Sequence, residues 1–274
     1  MIRILPVLAL ASLICSAEEP TKGVDLALVS SVRGVAPSST FTAGLTISHH
    51  PGFHTYWKNP GAVGYPIRID WDLPVGFTAS EIRWPFPEIS SMAGYPVFGY
   101  ERDVTLLVDL TAPATLPDKE LNFQANVSWM ACSDSCFPGI RRFTLTLPTA
   151  KIAEPILENQ ELFSDAEKQI PKTLGKWKAE LLTARNAEVI TLLLTPPSDI
   201  DPGKIEFYSS DAQISSDPTP EIKKREDGHY KISARRFQFS PKDSQSLPFV
   251  IFTENPITED GQKFGKLEPL YPAQ

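Results

Sequence analysis

Three features of this sequence predict an all-β protein. Short runs of Val, Ile, Leu, Phe and Thr recur with an apolar residue at every second position, turn residues separate them, and 26 prolines with only three methionines leave little room for long helices. Of 274 residues 42% are apolar, enough for one to three domains that each bury a core of their own.

Residues 1–17 read as a secretory leader, with Arg3 as the positive start, an apolar run over 4–14, and Cys15-Ser16-Ala17 as a small-residue cleavage site before Glu18. Acylation of Cys15, as in a lipoprotein, is the weaker alternative because Ile14 is large where such sites take a small residue. No later run of 18 apolar residues follows, so no transmembrane span is expected in the mature chain. Export to an oxidising compartment, the periplasm or its equivalent, would leave an even two cysteines. Loss of Arg3 takes the net charge from −7 to −8, and no basic cluster with interleaved aromatics is present, so nucleic acid is not an expected partner.

Residues 24–32 and 40–48 alternate as two sandwich strands. Next come a turn, a short aromatic strand holding Tyr56 and Trp57, and a second turn. His49, His50 and His54 match no zinc spacing and have no acidic or cysteine ligand beside them, so they read as strand and loop histidines, and no metal is assigned. Residues 67–71 form a strand, 73–77 a turn, and 82–85 an edge-like segment ended by proline. Tyr95, Phe98 and Tyr100 stand between glycines without clear periodicity, either as a loop whose rings fill a crevice or as a cover over something reactive. Residues 104–110 and 121–129 resume the alternation. Residues 154–170 carry an incomplete helical stripe ended by Pro171, and six further strands follow at 177–182, 189–195, 204–209, 222–225, 229–233 and 249–253. Asp227-Gly228 reads as a hairpin turn between the strands at 222–225 and 229–233. The expected organisation is a β domain over 18–150, a helical connector over 151–175 and a second β-rich domain over 176–274. The second domain holds no Gly-x-Ser-x-Gly, Walker A or His-Glu-x-x-His pattern, and no cofactor is implied.

The stretch Trp129-Met130-Ala131-Cys132-Ser133-Asp134-Ser135-Cys136-Phe137-Pro138-Gly139 carries most of the functional argument. Alternating runs enter and leave it, so Cys132 and Cys136 sit where two strands meet, and a tight turn can bring their sulfurs within bonding distance. Closing so short a loop stabilises a fold by only about 2 kcal/mol, a weak reason for a staple in a chain of this size. A redox pair, a structural bridge and a soft-metal site for Cu(I) all remain open on these residues alone.

Gly52-Phe53-His54-Thr55-Tyr56-Trp57-Lys58-Asn59-Pro60-Gly61, the run from Gly64 to Trp71, Leu73-Pro74-Val75-Gly76-Phe77, and the cysteine stretch together resemble the N-terminal periplasmic domain of the DsbD family of thiol–disulfide reductases. Ile82-Arg83-Trp84-Pro85-Phe86-Pro87 and Phe98-Gly99-Tyr100-Glu101 look most like the copper-sensitivity-suppressor branch, ScsB. The match covers about 24–147, and a weaker likeness at 205–208 extends it into the second half. The resemblance implies an immunoglobulin-like sandwich in which Cys132 and Cys136 receive electrons from a membrane thiol reductase and pass them to periplasmic thioredoxin-like partners. It also implies a cap loop at 95–100, with Phe98 the ring that shields the disulfide and Tyr56 and Trp57 on the active-site surface. With no transmembrane or Cys-x-x-Cys domain in this sequence, the reductase would act in trans; the rival expectation is a binding module with an inert disulfide.

Overall fold

The computed structural model describes residues 21–117, 119–241 and 243–272; the expected leader, including Cys15, lies outside them. Ten strands build the first sandwich: β1 (Val24–Ser30), β2 (Thr40–His49), β3 (Thr55–Gly61), β4 (Arg68–Asp72), β5 (Thr78–Ala79), β6 (Glu88–Met92), β7 (Tyr95–Tyr100), β8 (Val104–Thr111), β9 (Glu120–Cys132) and β10 (Cys136–Pro148). They form a β1-β2-β8-β5 sheet, a β10-β9-β4 sheet and a smaller β3-β7-β6 sheet, antiparallel throughout. Alternation buries one face of β2 and of β9: Phe41, Ala43, Leu45 and Ile47 from β2 meet Leu121, Phe123, Ala125 and Val127 from β9. Phe123 anchors this core, edge-on to Phe41 at 5.4 Å and to Phe77 at 5.1 Å. This is an immunoglobulin-like sandwich.

A short helix α1 (Gln160–Lys168), entered through a 3₁₀ turn at Leu157–Asn159, connects it to the second sandwich. The helical stripe thus folds over a shorter span than its sequence suggests. Arg83 ties α1 to the first sandwich through Glu167 at 2.8 Å and Asp109 at 3.1 Å. Then follow β11 (Lys178–Leu181), β12 (Val189–Thr195), β13 (Ile205–Ser209), β14 (Glu221–Lys224), β15 (Tyr230–Arg235), β16 (Phe249–Thr253) and β17 (Phe264–Leu267). The β11-β12-β15-β14 and β13-β16-β17 sheets enclose Leu192, Leu194, Phe207, Ile232, Phe249 and Ile251. Among the described residues no helix is long and apolar enough to cross a membrane.

Two segments differ from expectation. The edge-like segment at 82–85 makes a single bridge, Arg83 to Leu107, because prolines at 85 and 87 remove the donors a ladder needs. The segment at 95–100, read as a loop, is strand β7, paired on both sides. The expected Asp227-Gly228 hairpin turn does join β14 to β15, closed by the Arg225 N–H donating to the His229 carbonyl at 2.8 Å.

Candidate functional site

β9 and β10 run in unbroken register from Glu120↔Pro148 to Cys132↔Cys136, and Ser133-Asp134-Ser135 close the hairpin. The backbone N–H and C=O of Cys132 are both engaged by His54, each at 2.9 Å. In a strand those two groups point the same way, so toward Cys136 the pair is of the non-hydrogen-bonded kind, in which opposed side chains come closest. The Cα atoms lie 4.1 Å apart and the sulfurs are joined, with S–S 2.03 Å. Below them the Trp129 indole lies across Gly139, where an added Cβ would come within 2.3 Å of the ring.

A cover lies over the bond. β6 and β7 form a hairpin through Ala93-Gly94, both at positive φ (50° and 83°), and β7 docks on β3. From this cap sheet Tyr56 and Val97 meet Cys132, and Met92, Met130 and Cys136 pack against the same cluster. The Tyr56 hydroxyl donates to Cys132 Sγ at 3.1 Å, and Met92 Sδ stands 3.9 Å from Cys136 Sγ. Gly64, at φ +116°, lets the chain pass the Tyr56 ring, which an added Cβ would approach to 2.1 Å. Burial raises the Tyr56 phenol pKa, so the group stays protonated and can donate. Burial also lowers the His54 imidazole pKa, and that neutral ring meets Tyr56 edge-on at 5.1 Å.

The two cysteines are unequal. Cys132 is fully buried, whereas Cys136 is partly open to solvent at the hairpin's end.

Period two decides which predicted residues meet here. In β3, Tyr56 faces the disulfide while Trp57 turns to the opposite side; in β7, Val97 faces it while Phe98 turns away. The Phe98 ring therefore does not cover the sulfurs, contrary to its expected role; it packs on Trp57 (6.5 Å) and on Tyr208 of the second sandwich (5.3 Å). Tyr100 is buried, its hydroxyl donating to the Pro85 carbonyl at 2.8 Å, and Tyr95 is half-exposed near the cap's tip. Met92 and Met130 escaped the sequence reading, although Met130 shares a strand face with Cys132 by its i−2 position. The described chain has only these two methionines and two cysteines, and all four sulfurs lie in one cluster. His49 (to Thr55) and His50 (to Asp25) bond elsewhere, and among the described residues no group of three His, Cys, Asp or Glu side chains could hold a metal.

Comparison with known proteins bears on this arrangement. Residues 26–148 match the family model "Thiol:disulfide interchange protein DsbD, N-terminal". The crystal structure of the N-terminal periplasmic domain of ScsB from Proteus mirabilis superposes with a TM-score of 0.67 at 17% identity, over 93% of this chain and 97% of that one, so both sandwiches are shared. The major pilin subunit BcpA of Bacillus cereus aligns over 91% of this chain and 65% of its own at 9% identity and a TM-score of 0.27, too distant to bear on the fold. No curated protein matches. Residues 26–148, which hold the hairpin with its cysteine pair and the sheet that covers it, are thus the part of the chain that is similar to the DsbD N-terminal domains.

Proposed function

We propose that this protein is an exported, periplasmic thiol–disulfide exchange carrier that relays electron pairs through Cys132–Cys136 between a membrane thiol reductase and thioredoxin-like partners. The observation that carries the proposal is the asymmetry of the bond: one sulfur partly open, the other buried under a phenol that donates to it. A donor thiolate attacks Cys136 Sγ, the Cys132–Cys136 bond breaks, and Cys132 leaves as a thiolate stabilised by the Tyr56 hydroxyl. The donor's second thiol then resolves the mixed disulfide, so two electrons and two protons enter the pair. In the reverse half-cycle the Cys136 thiolate attacks a partner disulfide and Cys132 resolves it.

A purely structural bridge is less well supported, since the β9–β10 ladder already holds the two residues opposite each other and a loop this short contributes only about 2 kcal/mol. The test is trapping. Cys132→Ser should accumulate a mixed disulfide with a thioredoxin-like protein through Cys136, and Cys136→Ser should trap far less; if neither traps a partner, the carrier reading fails. A reduction potential below about −300 mV with slow reduction by dithiols would favour the inert bridge.

Met92 and Met130 favour one second reading. Once reduced, the pair presents two thiolates beside two thioethers, a soft donor set suited to Cu(I) as cargo. Stoichiometric Cu(I) binding, lost in Cys132→Ser and weakened in Met92→Leu, would support it, and no binding by the reduced protein would dismiss it.

A further inference from the structure

The cap hairpin is held weakly by its own sandwich. β7 joins β3 through Thr55↔Tyr100, Tyr56↔Gly99 and, after a register shift, Gly61↔Val97, and β6 is an edge strand. Few ladder contacts make a segment prone to local opening.

Its other face, however, rests on the second sandwich. Phe98 packs on Tyr208 at 5.3 Å, in a cluster that also takes in Val250. The buried Ser216 hydroxyl donates to the Pro96 carbonyl at 3.0 Å, near the start of β7. Asn59, buried in β3, donates to the Ser209 and Asp211 carbonyls, both at 2.8 Å. Phe86, just before β6, stacks on Phe264 at 4.8 Å and meets Tyr208 edge-on at 5.0 Å. Each cap strand is thus fastened, within it or beside it, to a part of the chain far away in sequence.

We infer that the second sandwich is the clamp that sets how often the cap leaves the disulfide, with Tyr208 and Ser216 as positioning residues that govern access to Cys136. The inference rests on the exchange reading for its consequence, but the clamp itself is a conformational property that can be measured without any partner. The domain without cysteines then controls which thiols reach the domain that has them.

The test uses the full chain carrying Tyr208→Ala with Ser216→Ala. Two readouts are taken: amide hydrogen exchange across β6–β7, and the rate at which dithiothreitol reduces Cys132–Cys136, followed by thiol labelling. Loss of the two ring pairs of Tyr208, with Phe98 and Phe86, and of one hydrogen bond should speed both by at least about tenfold. The equilibrium potential should stay unchanged, because the clamp touches neither sulfur. Tyr208→Phe keeps the ring and should restore the parent rate. Should Tyr208→Ala unfold the second sandwich, Ser216→Ala alone carries the test, with about a threefold effect. Unchanged hairpin exchange in a folded variant overturns the clamp. Faster hairpin exchange with a disulfide that still resists dithiols supports the clamp and overturns the exchange function instead.

Discussion

Replacing Tyr56 by Phe removes one oxygen and little else. The ring is fully buried, so no water takes the place of the hydroxyl, and Phe leaves no new cavity. What is lost is the 3.1 Å hydrogen bond to Cys132 Sγ. In the disulfide that sulfur is a poor acceptor, whereas in the transition state and in the reduced protein it carries negative charge. A hydrogen bond to a charged group contributes about 1.5–3 kcal/mol, and the lower end suits sulfur. The loss therefore falls on the reduced side. It should slow reduction about tenfold and make the potential about 30 mV more negative when measured in alkaline buffer. Equilibration against a dithiol buffer with mass-spectrometric counting of alkylated thiols gives the potential; stopped-flow fluorescence from nearby Trp129 gives the rate. A folded Tyr56→Phe protein with the parent's potential and rate would refute the assignment of the phenol as the stabiliser of the leaving sulfur.

Three further outcomes follow from the same geometry. Burial holds the His49 imidazole at a pKa of about 4 against the ordinary 6.5, so the native chain keeps it neutral where the unfolded chain is protonated. Stability should be indifferent to this group above pH 6.5, fall as pH drops toward 4, and lose on the order of 3 kcal/mol in total; His49→Gln should flatten that part of a melting-temperature profile. In Gly99→Ala the new Cβ would fall 2.0 Å from the Thr55 carbonyl oxygen, parting β7 from β3; thermal melts should show a loss of about 3 kcal/mol, and dithiols should reach the disulfide faster. Phe86→Ala removes the stack on Phe264 and Phe252 between the sandwiches, at a cost of about 2 kcal/mol, and calorimetry should then resolve two transitions in place of one.

The long strands were legible because each buries one face and wets the other. In β9, Leu121, Phe123, Ala125, Val127 and Trp129 alternate with Asn122, Gln124, Asn126 and Ser128, and no other element gives that pattern. The cysteine hairpin followed from the two alternating runs beside it. β7 was illegible for the opposite reason: Val97 faces the disulfide and Phe98 faces the second sandwich, so both sides are apolar and the period vanishes. β5 and β17 span only two and four residues, and in β6 the apolar Ile89 is exposed while Glu88 and Ser90 lie on the inner side, so burial runs against hydrophobicity. Met92 reaches Cys136, and Asn59 reaches Ser209, only through pairings distant in sequence, which local pattern does not encode.

The sulfur bond is the last rung of the longest ladder in the molecule. Cutting it would free a loop of three residues and leave every rung beneath it tied, so the exchange proposed above requires no change in the ladder between the oxidised and reduced pair. Nothing is wound up on loading or unwound on delivery. Under the exchange proposed above, traffic would run either way, driven by the relative hunger for electrons of the molecules on its two sides.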